Sequence, residues 1–290
     1  MLKKTVVILM ILIVAVSCNS QKNTTSTDVA GKKAYIQLYS VRDDIKKDLK
    51  NIIAEVAKAG YTGVEAAGYA DGKFYGLLPA EFKQGINAVG MEVLSSHTGK
   101  PLADDVQKTD WNKIWEWWDE AIVAHKAAGM KYVVTPWMPM PKTLNDLKVY
   151  CDYYNKVGEK CNAAGLRFGY HNHAFEFQKI EDEIMYDFML KNTDPEKVFF
   201  QMDVYWTVIG QKSPVEYFET YPDRFELLHL KDHKELGRSG MVGFDAIFDN
   251  LDKAGTKYMV VEVEQYNFPP LESVKLSYDY LKSNPHYKTN

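Results

Sequence analysis

The sequence predicts an α/β protein built as one closed (β/α)8 barrel, the TIM barrel architecture. Three features lead there. Eight short apolar runs alternate with longer amphipathic segments between residues 34 and 285. Several helical segments end in one recurring junction, a small residue and a glycine followed directly by an apolar run. The span, roughly 250 residues, is the usual size of one such barrel.

In chain order the runs are KAYIQLY (33–39), GVEAAGY (63–69), EVLSSH (92–97), YVVTPW (132–137), RFGYH (167–171), VFFQMD (198–203), ELLHLKD (226–232) and YMVVEVE (258–264). Short runs of this kind suit strands buried on both faces. After the first run, DLKNIIAEVAKAG (48–60) places Leu49, Ile52, Ile53 and Val56 on one helical face. WNKIWEWWDEAIVAHKAAG (111–129), LKVYCDYYNKVGEKCNAAG (147–165) and FDAIFDNLDKAG (244–255) repeat the arrangement. Gly60, Gly129, Gly165 and Gly255 each stand where a helix can end on a left-handed residue and turn into the next strand. Strand–helix alternation with such short returns implies a parallel sheet. An open doubly wound sheet is the other architecture this pattern allows. No G-x-G-x-x-G follows the first strand, so the sign of its nucleotide-binding form is missing.

The N-terminus differs in kind. MLKK is a short basic start, TVVILMILIVAV is an apolar run shorter than a membrane span needs, and SCNSQ follows. AVSC (15–18) resembles a bacterial lipobox, with Ala15 where leucine is usual. The expected organisation is a lipoprotein signal peptide over 1–17, lipidation at Cys18, a Ser/Thr/Asn-rich tether over 18–33 and the barrel over 34–285. A plain secretory signal or a short anchor helix fits the same residues. The location implied is the bacterial cell envelope, in the periplasm or at the outer membrane, with membrane contact through the lipid anchor alone.

With 46% hydrophobic and 26% charged side chains, the chain can bury a sizeable core. Its net charge of −4 suits nucleic-acid backbone poorly, so no nucleic-acid partner is expected. An oligomer is left open. Cys151 and Cys161 lie in one predicted helix, about 15 Å apart at ~1.5 Å rise per residue, too far for a disulfide. Three cysteines without a C-x-x-C also argue against a thiolate metal site.

In such a barrel the active site lies at the C-terminal ends of the strands. Ionisable residues gather there: Glu65, His97, His171, His173, Asp203, His229, Lys231, Asp232, Glu262 and Glu264. A single polar strand end is more often a packing or capping residue. Strand after strand aiming such groups at one rim calls for a cation between them. His171, Asp203, His229 and Glu262, from strands five to eight, make a four-ligand set. Mixed imidazole and carboxylate donors suit Mn²⁺, Zn²⁺, Co²⁺ or Fe²⁺ better than Ca²⁺ or Mg²⁺. His173 reads as an acid/base or substrate contact, or a packing residue, and Glu176 as support behind it.

Trp111, Trp115 and Trp118 follow helical spacing and read as a packing face. His125, His233 and His286 read as surface or loop residues. Trp137, Trp206 and Tyr39 sit past strand ends, where a ring either stacks on a sugar or packs on the rim; they and His97 and Glu264 are the candidate substrate contacts.

IQLYSVRD, GYTGVEAAGY, GYHNHAFEF, MDVYWTVIG, LLHLKD and VVEVEQYNFPPLESV together resemble the sugar phosphate isomerase/epimerase family, with its xylose isomerase-like TIM barrel. The resemblance runs from YIQLYSVRDDI (35–45) to PPLESVKLSYDYLK (269–282). Its superfamily also includes inosose dehydratase, ketose 3-epimerases and endonuclease IV nucleases. The resemblance implies a divalent metal held at the ends of strands five to eight, by Glu, Asp, His and Glu in the epimerases. Asp203, His229 and Glu262 match three of these positions, and His171 stands where the first glutamate would be. In the epimerases the two glutamates also form the acid–base pair, so the missing one must be replaced by His173, Glu65, Lys231 or Glu176. The nuclease branch needs further ligands for three metals, and the acidic charge argues against it.

The expected chemistry is metal-assisted loss of a proton next to a carbonyl. Glu262 or a nearby imidazole is the base, Lys231 a helper, and an enediolate the intermediate. Isomerisation, epimerisation or β-elimination then follows. An envelope location, and no phosphate cradle at the late strand ends, point to an unphosphorylated keto-sugar or glycoside, a 3-keto-glycoside among them. The competing class is a catalytically inert, membrane-tethered sugar-binding barrel, which would need Trp137, Trp206 and Tyr39 but no metal.

Overall fold

The computed structural model describes residues 33–288. The expected signal peptide, Cys18 and all of the tether except Lys33 lie outside them. The eight runs form strands β1 (Tyr35–Gln37), β2 (Gly63–Ala66), β3 (Glu92–Ser96), β4 (Tyr132–Thr135), β5 (Arg167–His171), β6 (Val198–Asp203), β7 (Leu227–Lys231) and β8 (Tyr258–Glu262). They pair in parallel in the order β3-β2-β1-β8-β7-β6-β5-β4. The first and last strands therefore lie side by side, with Tyr35 opposite Val260. The remaining gap, between β3 and β4, is closed by Lys131 N–H to the Leu94 carbonyl (2.9 Å) and Thr98 N–H to the Val134 carbonyl (2.8 Å). One parallel bridge, His97 to Val134, completes the ring.

Around the ring run α1 (Arg42–Ala59), α2 (Pro79–Asn87), α3 (Trp111–Ala127), α4 (Leu144–Ala164), α5 (Met185–Asn192), α6 (Val204–Ile209), α7 (Pro214–Thr220), α8 (Phe244–Phe248), α9 (Leu251–Ala254) and α10 (Pro270–Ser283). Gly60, Gly129, Gly165 and Gly255 all have φ between 71° and 115°, the left-handed stops that the junctions predict. Two helices differ from their patterns. α1 begins at Arg42 rather than Asp48, and kinks at Asp48, whose carboxylate takes the Asn51 N–H at 3.0 Å like a second N-cap. FDAIFDNLDKAG is not one helix but α8 and α9. Asn250 leaves the helix between them and turns its amide back onto the Ala246 carbonyl (2.8 Å).

Trp118 is fully buried and Trp111 and Trp115 are half-buried against the core, as a packing face should be. Cys151 and Cys161 are free and buried in α4. His125 corrects the sequence reading: it is not a surface residue but fully buried on α3. Its Nδ1 meets the Ala121 carbonyl at 2.6 Å, and Tyr69 and Phe74 cover its ring.

Alternation along the strands separates the barrel interior into two levels. Toward the N-terminal ends, Tyr35, Leu94, Tyr132, Val134, Phe199, Leu227 and Val260 form one buried apolar cluster. Gly63 and Gly169 make room for it: a Cβ there would stand 2.6 Å from the Tyr35 ring and 2.5 Å from the Phe199 ring. Two and four residues further along the same strands come Gln37, Glu65, His171, Gln201, Asp203, His229, Lys231 and Glu262. The same alternation that fills the floor with rings thus lines the upper end with ionisable groups.

Candidate active site

At the C-terminal rim lies a cleft of about 340 Å³. His97, His171, His173, Lys231, Glu262 and Glu264 line it, with Tyr39 and Trp137, which are 41% and 53% exposed. Asp203 and His229 are fully buried beside these groups. Two clefts of similar size, at the opposite barrel end and between α1 and α2, contain none of the groups of metal-donor side chains found among the described residues.

Two such groups exist, and both include His229. Ligand atoms of Asp203, His229 and Glu262 lie within 4.8 Å of one another, as do those of His97, His171 and His229. His171 Nε2 is 2.9 Å from His229 Nδ1 and 3.4 Å from Asp203 Oδ2. All four residues read from strands five to eight as ligands are therefore neighbours. His229 Nε2 and Asp203 Oδ2 are buried without a hydrogen-bond partner. Asp203 Oδ2 faces His171 Nε2 and His229 Nδ1, the two nitrogens that also meet each other, and a divalent ion fits this donor set. His229 Nε2 is on the other side of its ring, 3.8 Å from Glu65 Oε1.

The electrostatics divide the cleft. Burial acts on Lys231 to lower its pKa, but the charges of Glu262, Asp203 and Glu264 outweigh it and raise the ammonium's pKa. Lys231 Nζ donates to Glu262 Oε2 at 2.8 Å and to Glu264. Glu262 is likewise buried, and Lys231 holds its carboxyl below the usual range. Burial raises the pKa of Asp203, yet the His171 and His229 rings overcome it and keep the group ionised. The imidazoles at and just past the end of β5 go the other way. Burial lowers His171 to about 3 and also lowers His173, so both rings stay neutral at neutral pH.

Glu65 is in the cluster but not in the cleft. It is fully buried, and its carboxylate meets four side chains: Gln37 (2.9 Å) and His97 (3.0 Å) at Oε1, Ser95 (2.7 Å) and Gln201 (2.9 Å) at Oε2. Burial favours its neutral form, but His97 above all keeps its pKa at about 2. Trp206, expected at the mouth, is half-buried on α6, with Lys231 Nζ 5.1 Å from its ring centre. Glu176 stands behind β5 as support: it accepts the His173 N–H and the Tyr170 hydroxyl, both at 2.8 Å. Burial raises its pKa to about 8.

The sequence reading missed Gln37, Ser95, Gln201 and Asn172. The Asn172 side-chain Oδ1 accepts the Asp203 N–H at 3.1 Å and so fixes the strand end that carries Asp203. Gln37 and Gln201 were open to detection, since each occupies the inward register of its strand, Gln201 two residues before Asp203. Neutral amides simply carry no charge signal.

Comparison with known proteins bears on this architecture. Residues 53–284 match the family described as xylose isomerase-like TIM barrel. Two crystal structures of sugar phosphate isomerase/epimerase proteins from Parabacteroides distasonis are 35% and 33% identical. They cover 89% and 91% of this chain and all of their own, with TM-scores of 0.82 and 0.85. The inosose dehydratase of Geobacillus kaustophilus is 25% identical over 197 residues, 62% of this chain and 61% of that protein. The chain thus spans less than two thirds of the curated relatives it matches. An L-ribulose 3-epimerase shares the fold at 15% identity, covering 86% of this chain and 92% of its own, with a TM-score of 0.66. From the closed parallel barrel, the donor-lined cleft at its C-terminal rim and these matches, it follows that the chain belongs to the xylose isomerase-like TIM barrel family.

Proposed function

We propose that the protein is a divalent-metal-dependent enzyme that moves a proton at a carbon beside a carbonyl in an unphosphorylated keto-sugar or glycoside. The outcome is isomerisation, epimerisation or β-elimination. The observation that carries this reading is the buried, unpartnered Asp203 Oδ2 beside His171 Nε2 and His229 Nδ1, with Glu262 within ligand reach of Asp203 and His229. A sugar-binding barrel has no use for such a set. A solved IolI protein with a bound zinc atom shares the fold at 14% identity.

The four donors are the residues that would hold the ion. When bound, it supplies Lewis acidity toward a carbonyl and its neighbouring hydroxyl. The chain's own groups do the rest. His173, kept neutral, lines the cleft and takes the proton. Lys231, kept charged, stabilises the negative charge that develops on the substrate and can return a proton. Environments that push two titratable groups apart in this way assign their roles. Glu262 is shared between Lys231 and the donor set, and Glu264 steadies Lys231. Glu65, saturated by four contacts, orients His97 rather than carrying protons. Tyr39, Trp137 and His97 contact the sugar, with Trp206 behind Lys231.

The absence of a phosphate on the substrate has support in the loop after β7. Gly237 and Gly240, with φ of 73° and 70°, flank Arg238 and Ser239 there, a shape that can cradle an anion. That cradle faces the protein's own carboxylate: Asp232 accepts the His233 N–H at 2.7 Å and the Ser239 hydroxyl. The lipid anchor at Cys18 and the envelope location belong to the same proposal. Mass analysis of the membrane-extracted protein, beside a Cys18→Ala variant that is released or unlipidated, tests them.

The chemistry is tested by incubating the protein, loaded in turn with Mn²⁺, Zn²⁺, Co²⁺ and Fe²⁺, with ketohexoses and 3-keto-glycosides in D₂O. Deuterium entering next to the carbonyl, lost on chelation and in His173→Ala, is the expected NMR result. A metal-loaded protein that exchanges no proton of any of these sugars would sink the reading.

A further inference from the structure

We propose that Arg42 is a positioning residue, holding Tyr39 and Glu264 as one fixed wall of the cleft. The inference rests on reading that cleft as a sugar site. Arg42 opens α1 and does not itself line the cleft. Its guanidinium lies between the loop after β1 and the loop after β8. One arm, Nη1, donates to the Tyr39 carbonyl at 3.0 Å and to the Tyr266 hydroxyl at 2.9 Å. The other, Nη2, donates to the Glu264 carbonyl at 3.3 Å. The guanidinium carbon also stands 4.3 Å from the Tyr39 ring centre, at stacking distance.

Two further bonds join the same loops. The Tyr266 hydroxyl donates to the Ser40 carbonyl at 2.8 Å, and Val263 N–H donates to Ser40 Oγ at 3.0 Å. Arg42 is the one group in this set that touches both cleft residues. With its ring backed by the guanidinium, Tyr39 presents a plate already oriented for a sugar ring. A plate held in place loses less freedom when ligand binds than a ring on a free loop. On the other side, a fixed Glu264 backbone aims its carboxylate at Lys231. A planar fork with several donors can do this, and a lysine cannot. Arg42 therefore governs how firmly a sugar is held more than how fast it reacts.

The test uses the full chain as Arg42→Ala, Arg42→Lys and Tyr266→Phe. Amide hydrogen exchange is followed over 38–41 and 263–268, alongside metal content and, for any sugar that exchanges deuterium, KM and kcat. In Arg42→Ala both segments should exchange roughly tenfold faster or more, the effect of losing charge-assisted hydrogen bonds. Metal content should match wild type, and KM should rise several-fold more than kcat falls. Methylguanidinium in the buffer should reverse the exchange and KM changes, while Arg42→Lys should not restore them. Unaltered exchange in the two segments overturns the proposal, as does an equal loss of protection throughout the barrel that methylguanidinium does not reverse. Should Arg42→Ala fail to fold, Arg42→Lys decides: faster exchange confined to the two segments supports the clamp, and wild-type exchange in both overturns it, with Tyr266→Phe showing how much of the effect runs through the Tyr266–Ser40 bond. A wild type inert toward every sugar removes the proposed function, while the exchange data still decide the clamp.

Discussion

His229 Nδ1 lies 2.9 Å from His171 Nε2, and Asp203 Oδ2 is 3.5 and 3.4 Å from those same two nitrogens. Two imidazole nitrogens so close need a shared proton or a cation. The rings come from β5 and β7, on either side of the Asp203 strand β6, and neither can retreat, since both are buried. Elemental analysis of the purified protein should find about one divalent transition-metal ion per chain. His171→Ala and Asp203→Ala should each lower that content at least about tenfold. Wild type that stays metal-free after reconstitution would contradict the ligand set.

Lys231→Met keeps the stem and deletes the ammonium between Glu262 and Glu264. Since the charge acts on developing negative charge, kcat should fall by about two orders of magnitude with KM changed far less. The D₂O exchange rate is the direct measure. A variant that exchanges as fast as wild type would assign charge stabilisation elsewhere.

The Glu65–His97 pair should leave a pH signature in metal-free protein. Glu65 is depressed to about 2 from an ordinary 4.5, so its contribution is present above 4.5 and fades as pH falls toward 2. His97 is raised above its ordinary 6.5 by Glu65, against the effect of burial, so its contribution is complete below 6.5 and fades as pH rises through the folded value. Urea unfolding of wild type and Glu65→Gln should therefore differ most between pH 4.5 and 6.5. A difference constant from pH 3 to 9 would mean that the pairing is not electrostatic.

Gly169→Ala would put a methyl 2.5 Å from the Phe199 ring at the barrel floor. Overpacking of this sort costs about 1–3 kcal/mol, and Phe199→Leu in the same chain should return part of it. Gly85→Ala, inside α2 with nothing within 4 Å, should instead raise stability by about 0.5–1 kcal/mol in the same urea titration.

The fold was legible because both of its signals are local. Eight apolar runs and four left-handed glycines need only short windows, and each appears where expected. The charged members of the cleft were legible for a related reason: Asp203, His229 and Glu262 follow apolar residues at inward positions. What stayed hidden depends on partners distant in sequence. Nothing near His125 announces that Tyr69 and Phe74 will cover it. Glu65 resembles a rim carboxylate until Gln37, Ser95 and Gln201 are seen to saturate it. Arg42 passes for an ordinary helix-start residue, because Glu264 and Tyr266 lie more than two hundred residues away.

The bridge between His97 and Val134 has a consequence beyond the site. The last backbone link of the ring is made by a residue that also faces the cleft, and the first and last strands must meet before Tyr39 and Glu264 share a wall. Closing the ring and assembling the cleft are therefore a single equilibrium. Any molecule that spans the cleft acts as a buckle on the whole circle, and its affinity is returned as resistance to unfolding. A thermal-shift survey of metals and sugars can thus reveal what the barrel recognises before any turnover has been seen.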